Sequence, residues 1–284
     1  MNFITLNING VTGAEKPVWI RKLKRETKFS FLGLQETHQA GLSECDIRRF
    51  WDRSPVGFAS VDAVGRSGGL ASCWDPGIFS VDSVIKSQRF LVVSGSAKGL
   101  AQKINILNTH APNDLPGRRT LWDSIVDIKM QLAGFWVILG DFNDVRQPHE
   151  RVNSRYDPTS SAEFNDFISR AGLLEYNMSG GKFTYISDNS DIKFSKLDRI
   201  LVCDLFMQQW PLAELKVLRK GWSDHCPVTL TCEASDFGPT PFKLYNTWPG
   251  LKDLTDIVNA NFGHLIMFAR GDKTLAALLK KHQD

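Results

Sequence analysis

A mixed α/β fold, with sheets inside and helices outside, is predicted by two observations. Short apolar runs of strand length recur at residues 3–6, 29–34, 69–74, 90–93, 104–108, 136–139, 197–202 and 228–231, each bounded by polar residues. Between them lie amphipathic stretches of helical length at 17–28, 118–132 and 161–171. Strands alternating with helices in this way can bury sheets in the middle and expose only the outer helix faces.

In chain order, the first run leads into Asn7-Ile8-Asn9-Gly10. Strand alternation places Asn7 and Asn9 on one face, so both amides can point into one pocket. The helix over 17–28 has Pro17 near its start, where a missing N–H costs nothing. The second run ends in Gln35-Glu36-Thr37, and the run over 104–108 is followed by His110-Ala111-Pro112-Asn113. The run over 136–139 ends in Gly140-Asp141-Phe142-Asn143, with the same polar spacing of two as Asn7 and Asn9. A cap-like Thr159-Ser160-Ser161 with Glu163 precedes the third helix. Ser195-Lys196-Leu197-Asp198-Arg199 opens the next strand, and Trp222-Ser223-Asp224-His225-Cys226-Pro227 opens the last.

Each motif also has a plain structural reading. Gly, Asp and Asn are turn formers, so Gly140-Asp141-Phe142-Asn143 and Asn7-Ile8-Asn9-Gly10 can be turns and nothing more. Glu36-Thr37 can be a solvated strand end, and 195–199 a surface ion-pair patch. Independent turns would not produce all six motifs in one chain, each at the end of an apolar run, and polar groups at several strand ends around one rim are how α/β proteins build sites. Glu36, Asp224 and Asn9 supply hard oxygens suited to Mg²⁺. Asp141 can take a proton from water while Asn143 holds a phosphate, and Asp198 is the carboxylate that would fix the charge and tautomer of His225.

With 284 residues and 42% hydrophobic content the chain can bury a sizeable core, which excludes general disorder. A net charge of +3 suits a polyanionic partner without requiring one. Five scattered cysteines without a C-x-x-C pair suggest neither a disulfide framework nor a zinc site built on thiolates. The first residues lack the basic and long apolar regions of a signal peptide, and no apolar run approaches the roughly 18 to 20 residues that span a bilayer. A nuclear protein, or a cytosolic one before import, is expected, with no membrane partner and as a monomer. A boundary is expected near Ala234, where Ser235-Asp236-Phe237-Gly238-Pro239-Thr240-Pro241 begins. Residues 1–233 would form one domain, and 234–284 a linker and helical tail.

On its six motifs, in order, the chain resembles the endonuclease/exonuclease/phosphatase superfamily over about residues 1–233. The resemblance implies a four-layered α/β sandwich of the DNase I-like kind, two packed mixed β-sheets flanked by helices. It also implies a Mg²⁺-dependent phosphodiesterase, Mn²⁺ being an alternative, with Glu36 on the metal, Asp141 activating water, and His225 paired with Asp198. Gly65-Arg66-Ser67-Gly68-Gly69-Leu70, Glu150-Arg151, Phe164-Asn165-Asp166-Phe167-Ile168, Gly181-Lys182-Phe183-Thr184-Tyr185 and Ser195-Lys196-Leu197-Asp198-Arg199 are similar to the apurinic-like endonuclease domain of non-LTR (LINE-type) retrotransposons, particularly those of plants.

That narrower resemblance implies nicking of one strand of double-stranded DNA, leaving a 3′-hydroxyl that primes reverse transcription. A reverse transcriptase module is then the implied partner, toward which 237–242 would lead. Thr184 is carried over as a substrate contact, and Arg66, Arg118, Lys182 and Lys196 are candidates for the DNA backbone. The basic run Arg21-Lys22-Leu23-Lys24-Arg25 reads as an exposed helix face. One residue departs from the family: His110 stands where a tyrosine precedes Asn113 by three, and an imidazole differs from a phenol in reach, charge and pKa. Asn9 suits the retrotransposon branch, whereas repair enzymes carry Asp there. The competing readings are a repair-type apurinic endonuclease, a phosphatase or sphingomyelinase-like enzyme, and a degenerate domain that binds DNA or nothing.

Overall fold

The computed structural model describes residues 1–65, 67–187 and 191–232. Arg66, and the linker and tail expected over 234–284, lie outside the described residues. In chain order the strands are β1 (Phe3–Asn7), β2 (Phe31–Gln35), β3 (Gly57–Val61), β4 (Leu70–Trp74), β5 (Phe79–Lys86), β6 (Phe90–Ala97), β7 (Lys103–His110) and β8 (Phe135–Asp141). Then follow β9 (Arg151–Val152), β10 (Leu173–Leu174), β11 (Met178–Ser179), β12 (Tyr185–Ile186), β13 (Phe194–Ser195), β14 (Asp198–Cys203), β15 (Glu214–Val217) and β16 (Val228–Thr231). The helices are α1 (Glu15–Thr27), α2 (Glu44–Phe50), α3 (Leu115–Gln131), α4 (Pro158–Arg170) and α5 (Asp204–Gln209).

Among the described residues these strands form a sheet in the order β11-β15-β16-β1-β2-β4-β3 and a second in the order β10-β14-β8-β7-β6-β5, with β12-β13-β9 as a small third. Both large sheets mix parallel and antiparallel pairs; β1–β2 and β7–β8 are parallel. Alternation along β1 and β2 sorts the core. Phe3 and Phe31 face inward and join the packing of the second sheet, while Ile4 and Leu32 face outward and pack with Ile20 and Leu23 of α1 and Ile47 and Phe50 of α2. Both faces are therefore covered, which is why β1, β2, β4 and β8 are buried along their whole length and read as continuous apolar runs. On the outer face of the second sheet, Trp122 of α3 stacks on Phe142, Phe164 and Phe167 at centroid distances of 5.9, 5.3 and 4.5 Å.

The helices begin two or three residues before the sequence pattern suggests. Asp114 caps α3 by accepting from the Gly117 N–H at 2.7 Å, and Asp157 caps α4 by accepting from Thr159 and Ser160, each with a proline in the first turn. The Thr159-Ser160-Ser161 segment is thus already helical.

The two sheets approach closely at Gly33, where an added Cβ would stand 2.3 Å from Leu139 Cδ1. Beside it, buried Asn108 of β7 ties the sheets together. It accepts from Gln35 Nε2 at 2.6 Å and donates to the carbonyls of Leu34 and Ala71 at 3.1 and 3.0 Å. Asn108→Ala should remove these three buried hydrogen bonds between the sheets and cost about 1–3 kcal/mol, read as a lower urea midpoint at unchanged slope.

Candidate active site

Strand register assembles the site. In the second sheet His110, Asp141 and Asp198 are neighbours on one rung, with His110 opposite Asp141 across β7–β8 and Asp198 opposite Asp141 across β14–β8. In the first sheet Asn7 lies opposite Gln35 at the ends of β1 and β2, so Glu36 follows directly at that rim. Gly140 permits the second rung, since its φ of +144° and a would-be Cβ only 2.0 Å from Thr109 O leave room for no side chain.

The Asn7 amide joins the rims. Its Nδ2 donates to Glu36 Oε1 at 2.8 Å and to Asp141 Oδ2 at 3.0 Å. Asp141 Oδ1 accepts from the Asn143 N–H at 2.9 Å, and Asn143 Nδ2 donates to Ala111 O at 2.8 Å. His225 Nδ1 lies 2.8 Å from Asp198 Oδ2, and its Nε2 is 3.8 Å from Asp141 Oδ2. Ser223 Oγ donates to Asn7 O at 2.7 Å and accepts from the His225 N–H at 3.1 Å, locking the last loop against the first strand. Asn9 Nδ2 donates to Asp224 Oδ1 at 3.2 Å.

Glu36, Asn113, Asp141, Asn143, Asp224 and His225 line one cavity of about 310 Å³. A groove of about 750 Å³ between α1 and the β15–β16 hairpin is larger, but no predicted site residue lines it.

Charge is strongly organised here. Burial opposes ionisation of Glu36, but hydrogen bonds from His110, Asn7 and His38 outweigh it and hold the carboxyl at about 2. Burial likewise disfavours the His225 imidazolium, yet buried Asp198, with Asp141 and Asp224 behind it, lifts the ring to about 10. For His110, burial is again outweighed by Glu36 and Asp141, and its pKa rises.

A metal ion fits this donor set. Ligand atoms of Glu36, His110 and Asp141 lie within 4.8 Å of one another, and Glu36 is ionised and partly open to solvent. Of the two other residues expected as ligands beside Glu36, Asp224 lines the same cavity and accepts a hydrogen bond from Asn9, which is not among the residues lining it.

Three sequence-based expectations for DNA contact change. Thr184 is fully buried, and its Oγ1 accepts from the N–H groups of Leu197 and Asp198 at 2.9 Å, so it anchors the strand carrying Asp198. Lys196 turns inward, with its ammonium 2.9 Å from Glu175 and 3.8 Å from Glu150. Arg118 is buried against Asp144 at 3.3 Å and donates to Ser160 Oγ. Lys182 is exposed.

Sequence reasoning missed three residues. His38 Nε2 lies 2.9 Å from Glu36 Oε2, Arg151 lines the cavity, and the Tyr185 ring sits 5.1 Å from the His225 ring. Each left a signal: His38 stands two positions beyond Glu36, and Arg151 and Tyr185 lie within segments 150–151 and 181–185 that carry the family resemblance.

No family model matches the chain. It is 24% identical over 243 residues to the transposon TX1 uncharacterized 149 kDa protein of Xenopus laevis, a match covering 81% of this chain and 18% of that protein's length. Its fold matches the AP endonuclease LMAP from Leishmania major with a TM-score of 0.65 at 16% identity, covering 81% of this chain and 86% of the other. The chain has the DNase I-like fold of the endonuclease/exonuclease/phosphatase proteins. The endonuclease domain of TRAS1, a telomere-specific non-LTR retrotransposon, shares this α/β sandwich with a TM-score of 0.60 at 14% identity, over 82% of this chain and 99% of that one.

The His225–Asp198 pair generates a stability prediction. The ring's pKa is higher in the folded state, so the imidazolium's contribution is complete below about pH 6.5 and is lost as pH rises toward about 10, although burial pushes the Asp198 carboxyl up and offsets part of what the pair gains. Urea midpoints measured across that window should fall more steeply for the wild type than for the Asp198→Asn/His225→Gln double variant.

Proposed function

We propose that this domain is a metal-dependent DNA endonuclease that cuts one strand of a duplex, leaving a 3′-hydroxyl and a 5′-phosphate. The observation that carries the reading is the rung His110–Asp141–Asp198, which meets Glu36 through the Asn7 amide and His225 through Asp198. A carboxylate, an imidazolium and an ionised glutamate then face one open cavity, which is the equipment for phosphoryl transfer to water.

Asp141 has both oxygens fixed by N–H donors, which aims its remaining lone pairs and suits it to take a proton from water. His225 is an imidazolium at neutral pH. With Nδ1 held by Asp198, its Nε2–H is available to donate to a phosphate oxygen and offset the charge that grows there. Asn143, Asn113 and Arg151 line the cavity where the phosphate would sit. Mg²⁺ or Mn²⁺, held by Glu36 with Asp141, would supply further neutralisation of phosphate charge.

Retrotransposition is the setting we infer, in which the new 3′-hydroxyl primes reverse transcription in the nucleus by a module of a longer element, the domain itself acting as a monomer. The TX1 match supports this, since this chain spans about 18% of that transposon protein. The plant branch rests on the motifs of the sequence alone. Repair of apurinic sites is the second reading, favoured by the LMAP likeness. Asn9 in place of Asp argues against it.

Supercoiled plasmid should relax to nicked circles with added divalent metal and not with EDTA. Asp141→Asn should slow nicking about 10²–10⁴-fold while leaving the fold intact by circular dichroism. Added salt should suppress it, because phosphate contacts release counterions. Selective cutting of abasic over intact duplex would sink the retrotransposon reading and leave the repair one.

A further inference from the structure

We propose that Glu36, His110 and Asp141 form a transition-metal site that takes Zn²⁺ or Co²⁺ in preference to Mg²⁺. The proposal deepens the reading above and rests on it only in taking Glu36 as a metal ligand. His110 Nε2 stands 3.2 Å from Glu36 Oε1. As the protein stands this is a hydrogen bond from the ring to the carboxylate, and two donors that share one ion at about 2.1 Å also lie about 3.0–3.4 Å apart, so an ion that displaces the shared proton to solvent would find the pair at ligand spacing. An oxygen of Asp141 completes a group of donors lying within 4.8 Å of one another.

His110 closes the β7 ladder opposite Asp141; its Nδ1 is buried with no partner among the described residues, and its Nε2 is the nitrogen that faces Glu36. From the other side His38 Nε2 holds Glu36 Oε2 at 2.9 Å, as a supporting group orients a ligating carboxylate. Both Glu36 and His38 adopt left-handed backbone conformations, with φ of 52° and 54°, and residues with side chains hold that region only when the surroundings enforce it. Mg²⁺ demands oxygen donors and keeps its waters, whereas an imidazole nitrogen favours the later first-row ions. The trio Asp141, Asp198 and His225 is the competing location, but all three of its residues are buried, whereas Glu36 and His110 are only partly buried and leave the first group open to an entering ion.

The test is equilibrium binding to the full chain. Calorimetric titration with Zn²⁺ and with Mg²⁺ should give at least 100-fold tighter Zn²⁺ binding. Co²⁺ should develop visible d–d bands that Zn²⁺ abolishes and excess Mg²⁺ does not. His110→Gln should weaken Zn²⁺ binding roughly 100-fold, leave Mg²⁺ binding within about twofold, and remove the Co²⁺ bands. His38→Gln should weaken Zn²⁺ about 10-fold. His110→Tyr provides a second substitution at the same position, and near-UV circular dichroism reports the fold of each variant.

Equal Zn²⁺ binding by wild type and both His110 variants would overturn the proposal. So would Co²⁺ bands that survive His110→Gln and vanish with His225→Gln. Zn²⁺ selectivity without plasmid nicking counts against the nuclease reading alone. Nicking without Zn²⁺ selectivity counts against this site alone.

Discussion

The amide nitrogen of Asn7 carries two hydrogens, and the site depends on where they go. One is donated to Glu36 on the rim of the first sheet and the other to Asp141 on the rim of the second. An amide side chain is short, so both bonds survive only if the sheets keep their spacing and register. Those constraints are set deeper in the core, by the close approach at Gly33 and by the Asn108 bonds to β2 and β4. The apolar core and the polar rim are thus one construction: packing sets the distance, and Asn7 converts it into the placement of two carboxylates. The same backbone residue also accepts from Ser223, which brings the loop of Asp224 and His225 into the arrangement.

Carboxylates packed this closely would repel one another and resist burial if left alone. Each is instead given a donor or a cation. Glu36 lies between His38 and His110, and Asp198 holds His225. The resulting pairs oppose each other in sign across a few ångströms, with an acid held at about 2 and an imidazole lifted to about 10. Neither changes protonation near neutral pH, so charges are in place before a substrate arrives and no reorganisation is required of them during reaction. A preorganised site of this kind costs folding energy locally, and the surrounding sandwich supplies it.

Much of this was legible in the sequence, for a physical reason. Strands buried on both faces read as apolar runs, and the polar residues that end them stand out by contrast. β1, β2, β4, β6, β7, β8, β14 and β16 were visible in this way, with Asn7, Glu36, Asp141, Asp198 and His225 at or beside their ends. The strands that were missed are short or half-exposed. β5 alternates with solvent along most of its length, β3 is a small edge strand, and β15 has four residues. Helix starts were placed late because the amphipathic pattern begins only two or three residues inside α1, α3 and α4, past the capping positions. Side-chain direction was the least legible property. Nothing in the neighbours of Thr184 says that its hydroxyl turns inward to hold the 197–198 backbone, and nothing near His38 says that its ring folds back on Glu36.

Lys196 shows why a basic residue near a site is ambiguous from sequence. Its partners Glu150 and Glu175 come from segments 46 and 21 residues away, and they also bind Arg199, which is fully buried. A buried cation is tolerated only when acids surround it, so the network fixes β13 and β14 in place at the cost of removing these charges from the surface. Arg146 joins it through Glu175 at 3.4 Å, giving three cations against two carboxylates and a net charge of +1. Arg146 is itself one-third exposed, so the excess charge lies at the solvated edge of the network while Arg199 is neutralised inside it. Lys196 is therefore spent on the buried network, and a lysine beside a site motif in the sequence is not by that position a phosphate contact.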